Sequence, residues 1–173
     1  MKLLLRVLYV VVILAGLTTI GVILLQSKSA CIKTENVCLR YPADWKQADL
    51  GTDKVIRLIK SKPGAVLQLS VSNNKISGNT VENVVAAIDT QLKKNVNSYK
   101  FIKAEHLIIN KVSSVSVTYE LAQSTGGRIL NQELIVAPVG DKTYVFTIEA
   151  APADIDKLSG DIDYVLSHTE IKR

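Results

Sequence analysis

Apolar residues recur at every second position in several stretches of the chain, with polar residues between them. In residues 67–72, for example, leucine or valine alternates with glutamine or serine. A period of two is typical of a strand that buries one face. Together with turn residues between the runs, it predicts strands at residues 37–41, 53–61, 65–72, 101–109, 112–123, 128–137 and 143–150.

Two other stretches have the spacing of an amphipathic helix. Asn79 is placed to cap the first helix, and Glu82 three residues later would complete a capping box. Its apolar stripe consists of Val81, Val84, Val85, Ile88 and Leu92. A second helix is predicted at residues 153–168, with a stripe of Ile155, Leu158, Ile162, Val165 and Leu166. Both stripes predict helices that pack on a sheet.

The order of these elements predicts an α+β fold. Glycines at Gly126-Gly127 and in residues 139–142 allow tight reversals, because glycine tolerates the positive φ of hairpin turns. Consecutive hairpins indicate an antiparallel sheet, which argues against a parallel nucleotide-binding sheet. The predicted order is β-β-β-α-β-β-β-β-α.

Residues 7–25 form a continuous uncharged and largely apolar run of 19 residues. As a helix this run is about 28 Å long, close to the hydrocarbon thickness of a bilayer. Lys2 and Arg6 precede it and only Lys28 follows closely, so the N-terminus is expected in the cytoplasm. The sequence therefore predicts a single-pass signal-anchor in the cell membrane.

Two alternatives to this anchor stay open. A cleaved signal peptide would use Ser27, Ser29 or Ala30 near the cut, although its apolar region is usually only ~7–15 residues. Lipidation of Cys31 would require an apolar residue three positions before it, where this chain has Lys28. The predicted division is a cytoplasmic N-terminus at 1–6, the anchor at 7–25, a linker at 26–34 and an extracytoplasmic domain at 35–173.

Length and charge narrow the class of protein. The chain has 173 residues, 47% of them hydrophobic, which allows one domain with an anchor and excludes a multidomain enzyme. Its 21 Lys and Arg exceed its 16 Asp and Glu, but the cations are scattered among acids. A nucleic-acid binder usually concentrates its cations in one stripe. Nucleic acid is therefore excluded as the expected partner.

The two cysteines, Cys31 and Cys38, lie just after the predicted anchor. In an oxidising compartment they can form a disulfide that closes a small loop. The alternative is that both remain thiols. No histidine lies near them in sequence, so a metal site is not expected there.

No cluster of residues has the spacing of a catalytic or metal site. His106 and His168 are isolated, and the elbow G-x-S-x-G of hydrolases is absent. The acids Asp154, Asp156, Asp161 and Asp163 lack the spacing of a calcium loop. The sequence therefore predicts a protein that is not an enzyme, with no catalytic, cofactor-binding or metal-ligating residues.

The stretch Leu39-Arg40-Tyr41-Pro42-Ala43-Asp44-Trp45-Lys46, with the order of elements around it, resembles the PsbP-like family. That family takes its name from an extrinsic subunit of photosystem II. The resemblance covers roughly residues 35–172 and implies an α/β/α sandwich around an antiparallel sheet. It also implies that Tyr41, Pro42 and Trp45 form a structural corner.

By the same resemblance, the domain is expected to serve as an accessory or assembly factor that binds a membrane protein complex or an envelope component. The sheet face beside Thr118 and Glu120 and the loop at residues 73–79 are candidate contact surfaces. The alternative is a module that binds a small ligand or a cell-envelope component, which requires a pocket between helix and sheet. An envelope hydrolase is a third class, but it lacks a nucleophile–base pair.

Overall fold

A computed structural model describes residues 27–52, 54–73, 80–96, 98–122 and 129–171. Its strands are β1 (Ser27–Ile32), β2 (Val37–Pro42), β3 (Trp45–Gln47), β4 (Val55–Lys60), β5 (Ala65–Ser72), β6 (Tyr99–Ile109), β7 (Val112–Ala122), β8 (Ile129–Val139), β9 (Lys142–Ala150) and β10 (Glu170–Ile171). Its α-helices are α1 (Val81–Asn95), α2 (Pro152–Ile155) and α3 (Ser159–Ser167). Short 3-10 turns occupy Lys33–Glu35 and Asp156–Leu158.

The strands form two antiparallel sheets. The larger sheet has seven strands in the order β3-β4-β5-β9-β8-β7-β6, so β3 and β6 are its edges. The smaller sheet has the order β1-β2-β10. The α+β class and the antiparallel sheet are confirmed.

The larger sheet buries apolar residues on both faces. One face packs with the small sheet and the C-terminal helices, in a core that includes Trp45, Phe146 and Val165. The other face packs with α1, where Val117 and Tyr119 of β7 meet the helix stripe. Because successive side chains of a strand point to opposite faces, β7 contributes side chains to both faces of the larger sheet.

Helix α1 has the predicted apolar stripe but a different cap. Thr80, rather than Asn79, is the N-cap residue, and its hydroxyl accepts a hydrogen bond from the Asn83 amide at 3.3 Å. Glu82 is thus the second helical residue, one position too early for a capping box. The sequence allowed both registers, because asparagine and threonine are both good caps.

Residues 27–32, which the sequence analysis places in a linker, form β1 instead. Six residues of β1 pair with β2 in antiparallel register, including Cys31 opposite Cys38. Ala30 and Ile32 are buried, so a strand with few apolar residues still contributes to the core. The structure joins the two cysteines by a disulfide, which ties β1 to β2.

Replacing both Cys31 and Cys38 by serine is expected to lower the free energy of unfolding by about 2 kcal/mol, because the disulfide removes loop-closure entropy from the unfolded chain. The melting temperature should fall by roughly 4–8 °C. Thermal unfolding of the oxidised protein and of the double variant measures this. An equal melting temperature for the untreated protein and for protein treated with reductant would contradict it.

The C-terminal helix is broken into pieces. The predicted stripe at residues 153–168 is present, with Leu158, Ile162 and Val165 buried. However, the backbone passes from α2 through a 3-10 turn before α3 begins at Ser159. The Ser159-Gly160 pair lies at this junction, and such pairs commonly mark irregular helix turns.

No helix in the described residues is long and apolar enough to cross a membrane. The predicted anchor at residues 7–25 lies outside the described residues, as do residues 74–79 of the candidate contact loop and the Gly126-Gly127 turn.

Candidate binding cleft between the sheet and the C-terminal helices

A cleft of about 710 Å³ lies between strands β6–β8 on one side and helices α2 and α3 on the other. We call it the sheet–helix cleft. Its apolar lining is almost entirely branched aliphatic: Ile102, Leu107, Ile108, Ile109, Ile135, Ile155, Ile162 and Leu166. The cleft exists because α2 and α3 return across the sheet near strands that carry polar side chains on that face.

Two polar side chains in the sheet–helix cleft lack partners. Thr118 is only 7% exposed and makes no hydrogen bond through its side chain to any described residue. The Oδ1 atom of Asn131 is buried and likewise has no partner in the described part of the chain. Buried polar groups are usually hydrogen-bonded, so two unpaired groups in one cleft are unusual for a folded protein.

The sheet–helix cleft carries an excess of negative charge. Four carboxylates line it, from Glu105, Glu133, Asp156 and Asp163, against one ammonium group, that of Lys103. The Lys103 Nζ lies 2.7 Å from Glu105 Oε1. This hydrogen bond raises the pKa of Lys103 above its ordinary value, with further contributions from the charges of Glu105, Glu133 and Asp156.

Three apolar side chains of β6 are exposed: Ile102 and Ile108 line the sheet–helix cleft, whereas Phe101 contacts Tyr119 on the other face of the sheet. Phe101 is 47% exposed, Ile102 44% and Ile108 78%. The ladder with β7 shifts register between Phe101 and Lys103, so Ile102 sits at a β-bulge. Such bulges re-aim side chains at sheet edges.

The corner of Tyr41, Pro42 and Trp45 is part of the core. Tyr41 and Trp45 are buried, and the Trp45 indole Nε1 donates to Asp161 Oδ2 at 2.8 Å. Lys60 also donates to Asp161 Oδ2. We call Trp45, Lys60, Asp44 and Asp161 the corner cluster.

Lys60 is the charged centre of the corner cluster. Its Nζ lies 2.7 Å from Asp44 Oδ2 and 5.8 Å from the centre of the Trp45 ring. Burial by itself would lower the pKa of Lys60, but the hydrogen bonds to Asp161 and Asp44 outweigh it and raise the pKa. The ammonium therefore stays charged and fixes α3 to β3 and β4.

Tyr119 lies on the opposite face of the sheet, under α1. Its ring meets Tyr99 and Phe101 edge to face, each at 5.8 Å between centroids. Burial raises the pKa of Tyr119 to about 12. Its hydroxyl is buried without a hydrogen-bond partner among the described residues.

Tyr119→Phe is therefore expected to leave stability unchanged or to raise it by up to about 1 kcal/mol, because it removes a buried polar group that is not paired. Tyr119→Leu, which also removes the ring contacts, should be destabilising. Chemical denaturation of the three proteins measures both effects. A loss above about 1 kcal/mol in Tyr119→Phe would mean that the hydroxyl has a partner.

The structure separates the residues that the sequence singled out. His106 is exposed on β6, whereas His168 follows α3 and stacks on Tyr164 with 4.2 Å between ring centroids. Asp154 pairs with Lys157 and Asp161 with Lys60, while Asp156 and Asp163 line the sheet–helix cleft. Among the described residues, no three His, Cys, Asp or Glu side chains are placed to hold a metal ion.

The candidate contact face beside Thr118 and Glu120 is not open surface. Ser114 and Ser116 are 1% exposed, and Thr118 is nearly as buried. The sequence identified the polar face of β7 but not the helices that cover it. The cleft residues of β8, Asn131 and Glu133, were missed, although polar residues at 131–133 follow the first two apolar residues of that strand.

A scan against protein-family models finds no match, and a search of curated proteins finds none either. Solved structures do match. The solution structure of cyanobacterial PsbP (CyanoP) from Synechocystis sp. PCC 6803 has a TM-score of 0.61 and 15% identity, over 85% of this chain and 93% of that one.

Two further structures have the same architecture. One is PA94 of Pseudomonas aeruginosa, a protein of unknown function, with a TM-score of 0.55 and 15% identity over 86% of this chain and 98% of that one. The other is LpqN, involved in cell envelope biogenesis of Mycobacterium tuberculosis, with a TM-score of 0.50 and 13% identity over 85% of this chain and 86% of that one. The chain thus has a PsbP-like fold, as its resemblance implied.

Proposed function

We propose that this chain is a non-enzymatic interaction domain of the cell envelope that binds a partner protein through the sheet–helix cleft. Residues 7–25 anchor it in the membrane, and the folded domain lies outside the cytoplasm. The apolar run and the charges before it support the anchor. The disulfide fits an oxidising compartment.

The observation that carries the proposal is the unsatisfied lining of the sheet–helix cleft. Thr118 and Asn131 offer polar groups without partners, and exposed apolar side chains lie on the adjoining strand. Exposed apolar residues beside a pocket commonly mark a binding surface.

The fold likeness is compatible with this role. LpqN, which shares the architecture, is involved in cell envelope biogenesis. At 13% identity the likeness carries the fold alone, so the role of this chain rests on its own cleft. An accessory or assembly function in a membrane complex is the specific form that we propose.

Site-specific photocrosslinking tests the proposal. A photoreactive phenylalanine analogue at Ile102, in the full-length protein in its native membrane, should crosslink a recurrent partner. The matched control is the same analogue at Ile59, which is similarly exposed (41%) but far from the cleft. Equal products from both positions, or none from Ile102, would contradict a partner at the cleft.

A second candidate is a module for a small ligand of the envelope. The volume of the sheet–helix cleft lies in the usual range for ligand pockets, about 300–1,000 Å³. Native mass spectrometry of the gently purified protein tests this candidate. A retained mass that disappears when Thr118 is replaced by valine would favour the small ligand.

A further inference from the structure

We infer that the sheet–helix cleft recognises an extended basic segment of the partner, which adds as a strand to the edge of β6 and places a lysine or arginine side chain in the cleft. This inference rests on the proposed function and names the chemistry and geometry of the binding. Three independent features of β6 and the cleft carry it.

The first feature is the unpaired edge of β6. No described strand pairs with the outer side of this 11-residue strand. The Ala122 amide donates to the Ser98 carbonyl, and β6 and β7 are joined by a two-residue turn after Ile109. Hydrogen-bonded pairs alternate along such a ladder. Consequently every second backbone N–H points away from β7 and toward the free edge, at Ala104, His106 and Ile108.

The second feature is the charge of the sheet–helix cleft. A strand added beside β6 projects alternate side chains toward the same face as Lys103, Glu105 and Leu107. A long basic side chain entering there approaches the four carboxylates that line the cleft, those of Glu105, Glu133, Asp156 and Asp163. The cleft has a single cation of its own, already paired with Glu105, so the charge left to be matched is negative.

The third feature is the pair of partnerless polar groups. Thr118 is more than nine-tenths buried and lines the cleft without a side-chain hydrogen bond to any described residue. The Oδ1 of Asn131 accepts nothing within the described chain. The Thr118 oxygen can accept from an ammonium or a guanidinium group, which carries only donors. The Asn131 oxygen has almost no accessible surface, so it can accept only after its side chain turns toward the cleft.

Exposed apolar side chains add to the strand-addition surface. Phe101 precedes the stretch with the free amides and Ile108 is its last residue, and each is about half exposed or more. Edge strands are usually protected by lysines and bulges. Strand β6 has two such lysines, Lys100 and Lys103, and a bulge at Ile102. Phe101 and Ile108 are nevertheless exposed to solvent. This combination favours a specific partner strand over indiscriminate pairing.

The charge requirement is tested with the Ile102 photocrosslinker in the full-length membrane protein. The double substitution Glu133→Gln and Asp163→Asn should reduce the partner crosslink about tenfold or more, since it removes charge-assisted hydrogen bonds. The matched control, Glu149→Gln with Asp141→Asn, removes the same charge outside the cleft and should leave the crosslink unchanged.

The strand requirement is tested by proline at a free amide. Ala104→Pro removes one outward N–H of β6 and should also reduce the crosslink about tenfold. Gln47→Pro at the opposite sheet edge, on β3, is the matched control. Melting temperatures of all variants show that the domain folds. If Ala104→Pro fails to fold, an N-methylated amide at Ala104, introduced by semisynthesis, replaces it.

Mass spectrometry of the crosslinked peptide gives the remaining readout. We expect a partner segment with a lysine or arginine between apolar residues. A crosslink that persists in the Glu133→Gln, Asp163→Asn variant or in Ala104→Pro would overturn the inference while keeping the proposed function. Absence of any partner crosslink at Ile102 would overturn the function itself. A crosslink to residues 123–128 or 172–173 of the same chain would overturn both, because the chain would then fill its own cleft.

Discussion

Trp45→Ala is expected to lower the free energy of unfolding by about 4 kcal/mol, the largest effect of any substitution considered for this domain. Trp45 is fully buried in the main core, and its indole also donates to Asp161. The substitution creates a cavity and leaves a carboxylate short of one donor. The melting temperature should fall by roughly 10 °C. Urea denaturation and thermal melting of the wild-type protein and the variant measure the two effects.

Trp45→Phe separates the two causes. Phenylalanine keeps much of the apolar volume but has no N–H, so the expected loss is only about 1–2 kcal/mol. If both variants lost the same stability, the hydrogen bond to Asp161, and not the packing, would carry the effect of Trp45.

Asp161→Ala is expected to cost about 3 kcal/mol, the second largest effect. Asp161 accepts from both the Trp45 indole and Lys60, and the Lys60 side chain is only 12% exposed. Removing the carboxylate leaves a buried N–H unpaired and deprives an ammonium group of one of its two partners. The loss stays below that for a fully buried pair because Asp44 still contacts Lys60. Chemical denaturation measures it.

Asp163→Ala is the matched control, since Asp163 lies two residues further on the same helix and is exposed. The free energy of unfolding should change by less than about 0.5 kcal/mol in this variant.

The corner cluster also sets a pH dependence of stability. The raised pKa of Lys60 means that its stabilisation is complete below the ordinary lysine pKa and is lost only as the pH rises through the folded-state value. The difference between wild type and Asp161→Ala should therefore hold from neutral pH to about pH 9.

Local periodicity predicted most of the secondary structure. The strands β5 to β9 and the stripe of α1 follow from alternation or helical spacing within single segments, and the turn residues between them set the ends. Strand β1 was missed because only Ala30 and Ile32 are buried in it. Its pairing with β2 holds it in place, and pairing between segments has little local signature.

The sheet–helix cleft could not be predicted from local periodicity. Thr118, Glu133 and Asp163 come from two strands and one helix that are distant in sequence. Alternation indicated a polar face on β7, and the natural interpretation was a solvated surface. The position of the C-terminal helices, and not the sequence of β7, determines that this face is covered at Ser116 and opens into a cleft near Thr118.

The start of β1 limits how far the domain can reach. The membrane segment that we propose ends at Leu25, and β1 begins at Ser27, two positions later in the sequence. Two residues span at most about 7 Å. A domain of this size is roughly 40 Å across. Every point on it then stays within about that height above the bilayer, and its partner must present the basic segment close to the lipid surface. Because β1 is paired with β2 and joined to it by the disulfide, a force applied at Ser27 would pass directly into β2 and the small sheet.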